Sequence, residues 1–131
     1  MSIKKIWTNG CYDILHIGHI ALFEYAKSLG GQLIVGIDSD KRVKKLKGED
    51  RPFNCETDRK KMLESIKYID KVFIFDNQEQ MCNIVRYNSI HAIVVGDEYK
   101  GRHVTASDIV DEVIYFTKIK GYSTTSILDQ K

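Results

Sequence analysis

Five short apolar runs alternate with amphipathic segments, and this alternation constrains the fold more than any other feature of the chain. The runs are residues 3–8, 32–38, 71–75, 91–95 and 113–116. Each is rich in Val, Ile or aromatic side chains and too short for a helix, as expected of strands buried on both faces of a parallel sheet. Between the first two, Ile20, Leu22, Phe23, Ala26 and Leu29 recur near helical spacing, and Gly30-Gly31 supplies a stop. Asn54 is placed to cap a second helix with Met62, Leu63, Ile66 and Ile69 inward. Residues 80–87 read as a third helix with Met81, Ile84 and Val85 inward, and residues 105–112 as a fourth. A last helix is expected to begin at Ser123-Thr124-Thr125 and to carry Ile127 and Leu128.

Strand–helix alternation implies right-handed βαβ crossovers. The expected fold class is α/β: a single Rossmann-like domain over residues 1–131, with a five-stranded parallel sheet and helices on both faces. A length of 131 residues suits one domain and a core that needs no staple. A hydrophobic share of 43% with a single Pro argues against disorder or low complexity. The net charge of +2 argues against a general nucleic-acid coat. Cys11, Cys55 and Cys82 form no CxxC pair, so neither a disulfide framework nor a zinc ribbon is expected, and a reducing compartment is. The first residues lack a signal-like apolar run, and nothing approaches the ~18 apolar residues of a membrane span. A soluble, cytoplasmic protein with no membrane or nucleic-acid partner is the expectation.

Ligands of open parallel sheets bind beyond the carboxyl ends of the strands. Three segments expected there carry unusual residues. After the first strand comes Thr8-Asn-Gly-Cys-Tyr-Asp-Ile-Leu-His-Ile-Gly-His19. Gly10 permits a tight turn, Gly18 permits close approach at a helix start, and such a start favours phosphate. His16 and His19, three apart, would face one bound group and stabilise charge building on it. A metal pair is the competing reading, but no third ligand is evident. The second segment, a basic loop over residues 40–51, holds Lys41, Arg42, Lys44, Lys45, Lys47 and Arg51. It is either a solvated face or a cover for a polyphosphate, with Gly48 allowing movement. The third, Gly121-Tyr-Ser-Thr-Thr-Ser126, offers an N-cap and, equally, a second phosphate cradle.

Together these residues resemble the small nucleotidyltransferases of the cytidylyltransferase-like superfamily, from Ile6 to Leu128. His16-Ile17-Gly18-His19 also matches the signature of class I aminoacyl-tRNA synthetases, but the length is wrong and no Lys-Met-Ser-Lys-Ser is present. Two branches compete. Residues 8–16, 46–54 and 121–125 look like heptose-1-phosphate adenylyltransferases. Gly96-Asp-Glu-Tyr-Lys-Gly101 looks like glycerol-3-phosphate cytidylyltransferases, whose usual arginines are replaced here by Lys67 and Lys118.

The resemblance implies transfer of a nucleoside monophosphate from ATP or CTP to a phosphorylated sugar or polyol, with release of pyrophosphate. Mg²⁺ would bridge the triphosphate, with no dedicated protein metal site, and a homodimer is implied. By the same resemblance His16, His19, Lys44, Lys47 and Asp13 are catalytic. The nucleotide site would use Thr8, Gly10, Cys11, Tyr12, Gly18, Lys45, Gly96, Asp97, Tyr122, Ser123, Thr124 and Thr125. Asp13, Asp38, Arg59 and Lys118 fall to the second substrate. A non-catalytic nucleotide sensor using the same cradle is the alternative from another class.

Overall fold

A computed structural model of the chain describes residues 4–117. Five strands, β1 (Lys4–Gly10), β2 (Gly31–Asp38), β3 (Lys71–Phe75), β4 (Ala92–Gly96) and β5 (Glu112–Phe116), form one parallel sheet in the order β3-β2-β1-β4-β5. Four helices connect them: α1 (Ile17–Gly30), α2 (Asp40–Lys47), α3 (Glu56–Glu64) and α4 (Gln78–Tyr87). The expected five-stranded α/β fold is present. Among the described residues, no helix is long and apolar enough to cross a membrane.

The central strands are buried on both faces, which is why they read as continuous apolar runs rather than as alternation. On one side Ile6, Leu33, Val35 and Ile37 pack with Phe23 and Ala26 of α1 and Leu63 of α3. On the other side Trp7, Ile34 and Ile93 pack with Met81 and Val85 of α4. Gly36 makes room for that second layer: a Cβ there would lie 2.3 Å from Trp7 and 3.0 Å from Phe75.

Several local expectations change. Residues 40–47 are helix rather than loop. Ser39 caps them by accepting the Arg42 amide at 3.1 Å, and Val43 is the buried anchor. The lysines are good helix formers, but with one inward apolar residue they leave little periodicity to detect. Helix α3 starts after Cys55, and Asn54 uses its side chain to reach the Asp13 carbonyl at 2.7 Å instead of capping. Ile66 and Ile69 lie beyond α3, and Met62 is exposed. Residues 105–112 contain only a 3₁₀ turn, Ser107–Ile109, before β5 begins. The expected last helix lies outside the described residues.

The site follows from topology. From β1 the chain moves to β2 on one side and later returns to β4 on the other, so the order reverses between β1 and β4. Their pairing covers only Ile6 with Ala92 and Trp7 with Ile93. Beyond it the two strands leave a crevice at their carboxyl ends, where open α/β sheets bind ligands.

Candidate active site

That crevice opens into a cleft of about 740 Å³. Its floor comes from Thr8, Asn9 and Gly10 of β1 and from Val94, Val95 and Gly96 of β4. Thr8 is buried, and its hydroxyl donates to the Val94 carbonyl at 2.9 Å, replacing the missing backbone pairing. His16, Gly18 and His19 form one wall, Lys47 and Arg51 a second, and Glu98, Tyr99 and His103 a third.

The histidine pair is built into the start of α1. His16 is the N-cap, and its Nδ1 accepts the Gly18 amide at 3.1 Å. His19 Nδ1 accepts the His16 amide at 3.3 Å, completing a reciprocal capping box with histidines in place of the usual Ser and Glu. The rings stack with centroids 3.8 Å apart. Because each Nδ1 accepts a backbone N–H, each neutral ring carries its proton on Nε2. The cap thus fixes two Nε2–H donors side by side. No acidic residue occupies the first turn of α1, so no carboxylate there offsets the positive end of the helix.

Tyr12 holds this arrangement from below. Its ring meets His19 edge-on at 5.1 Å and Phe23 at 5.2 Å. Its backbone is left-handed, with φ 51°, and a Cβ on Gly10 would come within 3.1 Å of its ring. Glycine at position 10 therefore lets the ring lie over the turn. Burial pushes the Tyr12 phenol up from 10 to about 12. The unfolded chain loses this proton first, so between those values the unfolded state binds fewer protons and stability falls as pH rises. Its contribution to the decline is at most about 1.4 kcal/mol per pH unit, and Tyr12→Phe should remove that contribution. Urea midpoints across that range check it; identical slopes would contradict the buried phenol. Burial also raises the Cys11 thiol, which keeps it protonated and a poor nucleophile.

A family model described as cytidylyltransferase-like matches residues 7–129. The chain belongs to the cytidylyltransferase-like family. Bifunctional protein HldE of Campylobacter fetus subsp. fetus is 41% identical over 95% of this chain and 27% of its own length. Bifunctional protein HldE of Nitratiruptor sp. is 42% identical over 97% of this chain and 27% of its own length. The chain thus spans about a quarter of the length of the curated relatives it matches. The crystal structure of the lipopolysaccharide core biosynthesis protein from Thermoplasma volcanium GSS1 has the same fold. It superposes with a TM-score of 0.74 at 21% identity, covering 91% of this chain and 100% of that one.

For a cytidylyltransferase-like chain, several expected site residues sit in the cleft together. Thr8, Gly10, Cys11, Tyr12, His16, Gly18, His19, Lys47 and Gly96 all line it. Others are turned elsewhere. Lys44 donates to the carbonyls of Glu49 and Arg51 at 3.3 and 3.1 Å, tying down the turn after α2. Lys45 is exposed and away from the cleft wall, and Asp97 opens the 3₁₀ turn after β4. Asp38 accepts Arg42 Nε at 2.8 Å. Asp13 is buried, and its two oxygens accept the amides of Phe53 and Asn54, each at 2.8 Å.

Arg59 is wholly buried. Its Nε donates to the Asn54 carbonyl, one Nη to the carbonyls of Cys11 and Asp38, and the other to the Asp40 carboxylate. It bolts together the turn after β1, the end of β2 and the start of α2. Lys118, Tyr122, Ser123, Thr124 and Thr125 lie outside the described residues. Sequence reasoning left Glu98, Tyr99, His103 and Thr105 out of the site. Glu98 and Tyr99 were flagged only as part of Gly96-Asp-Glu-Tyr-Lys-Gly101, and for His103 and Thr105 only their place after β4 in the chain could have pointed to the site.

Proposed function

We propose that this chain transfers an adenylyl group from ATP to a sugar 1-phosphate of the heptose type, releasing pyrophosphate. The observation that carries the reading is the pair of histidines locked with both Nε2–H donors at the mouth of a β1/β4 crevice. Support also comes from family membership and from the resemblance of residues 8–16 and 46–54 to the heptose-1-phosphate branch.

A phosphate oxygen of the acceptor attacks the α-phosphorus in line, and the bond from that phosphorus to the bridging oxygen breaks. The electron pair leaves with pyrophosphate. The acceptor phosphate is already nucleophilic, so neither a general base nor a covalent enzyme intermediate is needed, and positioning and charge neutralisation do the work. His16 and His19 donate to the α-phosphate and its bridging oxygen, where charge builds. Lys47 faces the β- and γ-phosphates. Asp13, Lys44 and Arg59 position the segments that carry these groups.

Among the described residues, no three His, Cys, Asp or Glu side chains cluster to hold a metal. By the family resemblance Mg²⁺ would enter with the nucleotide and would neutralise charge on the leaving group. Ser123, Thr124 and Thr125 are assigned to the triphosphate, Lys118 to the acceptor, and Asp97 to the ribose or base.

Pyrophosphate release with Mg²⁺, crossing ATP and CTP against heptose 1-phosphate and glycerol 3-phosphate, tests the reading. Release confined to ATP with heptose 1-phosphate is expected. Release confined to CTP with glycerol 3-phosphate would move the chain to the other branch. Tight nucleotide binding with no release from a broad phosphate-ester panel would point to a sensor.

A further inference from the structure

The cleft contains a guanidinium that the fold holds from one side. Arg51 follows α2 and lines the same cleft as Lys47, His16 and His19. Its Nε is buried and makes no hydrogen bond among the described residues. It forms an ion pair with the buried Asp13 carboxylate at 3.6 Å, and Asp13 also accepts two backbone amides. Phe53 lies beneath the guanidinium, whose carbon is 5.8 Å from the ring centroid. Arg59, by contrast, has a partner for each of its three nitrogens, in backbone carbonyls and Asp40.

The segment around Arg51 is held firmly. Lys44 fixes its carbonyl at 3.1 Å, and Asp13 fixes the next two amides along. The Nε edge is closed off beside Asp13, while the side chain keeps 19% of its surface exposed in a cleft that Lys47, His16 and His19 also line. Five donors in a planar fork match a phosphate oxyanion better than any neutral group.

We propose that Arg51 is a phosphate-binding residue of the cleft, with Asp13 as the positioning residue that aims it. The inference rests on the reading of the cleft as a site for phosphate esters. The phosphate is that of the nucleotide or that of the acceptor, and the experiment separates the two.

Pyrophosphate and ATP affinities are measured by calorimetry for wild type, Arg51→Gln and Arg51→Lys, with KM for each substrate from pyrophosphate release. Arg51→Gln should weaken one phosphate ligand about 10- to 100-fold, and Arg51→Lys should recover only part of that. Weakened pyrophosphate and ATP binding assigns Arg51 to the triphosphate; a raised KM for the sugar phosphate alone assigns it to the acceptor. Folded Arg51→Gln protein with every affinity and KM within about twofold of wild type overturns the proposal. So does a lowered Tm whose full rescue by lysine also restores all binding, because the role is then structural. If wild type releases no pyrophosphate yet Arg51→Gln still weakens pyrophosphate binding, the transferase reading fails and this one stands. Wild type that binds none of the ligands overturns both.

Discussion

Replacing His19 by alanine should lower turnover about a hundredfold or more while changing the ATP dissociation constant only a few-fold. The expectation follows from where its proton is. His19 Nδ1 accepts the His16 amide, so the ring meets the cleft as an Nε2–H donor, and Tyr12 and the stacked His16 ring fix its plane. Such a donor is worth most where charge develops, on the bridging oxygen during bond cleavage, and little to the ground-state complex. His16→Ala should match it in turnover, with a second effect. His16 is also the N-cap of α1, so alanine removes the acceptor for Gly18 and costs about 0.5–2 kcal/mol of stability. His16→Asn separates the two roles, because asparagine caps well but cannot place a donor where Nε2–H lies. Its Tm should return close to wild type while turnover stays low. Parallel losses of binding and turnover would place the histidines in ground-state binding and contradict the assignment.

The strands were legible because a parallel sheet covered on both faces must be apolar throughout. The observed β3, Lys71–Phe75, coincides with its apolar run, and the others shift by a residue or two. The His-x-Gly-His turn was legible because few other folds need two imidazoles and a glycine at a helix start. Helix α2 was not, since its evidence is one buried valine among lysines. Nor was the division of labour among the cations. Lys44 and Lys47 are three apart, yet one ties down backbone carbonyls and the other faces the cleft. Arg51 and Arg59 are equally indistinguishable as letters. What separates them is contact with Cys11 and Asp38 for Arg59 and with Asp13 for Arg51, partners that lie 21 or more positions away in sequence. Such pairings belong to tertiary structure, and local spacing carries no trace of them.

Arg59→Met should be the most destabilising single change in the cleft's support, costing about 3–5 kcal/mol. Arg59 is 0% exposed and makes four hydrogen bonds, three of them to backbone carbonyls of separate segments. Methionine fills much of the volume but leaves the carbonyls of Asn54, Cys11 and Asp38 without their donor in a site where water is excluded. Lysine supplies the charge but not the fork, so Arg59→Lys should recover only a minor share. The ion pair itself is the smaller part of the effect. The Asp40 side chain keeps 32% of its surface exposed and can be hydrated when its partner is lost. Asp40→Asn keeps an oxygen acceptor for that Nη and leaves the three carbonyl bonds intact, so it should cost about 1–2 kcal/mol. Thermal unfolding separates these: about 10 °C or more is expected for Arg59→Met and a few degrees for Asp40→Asn. Similar losses for the two would mean that the charge pair, not the carbonyl bolt, holds the segments together. Because Cys11 lines the cleft and α2 carries Lys47, loosening the bolt should also cut turnover below the unfolding temperature. His19→Ala removes the acceptor of the His16 amide and one ring contact, so its loss of Tm should be far smaller than that of Arg59→Met, and stability and chemistry are carried largely by different residues of the same cleft.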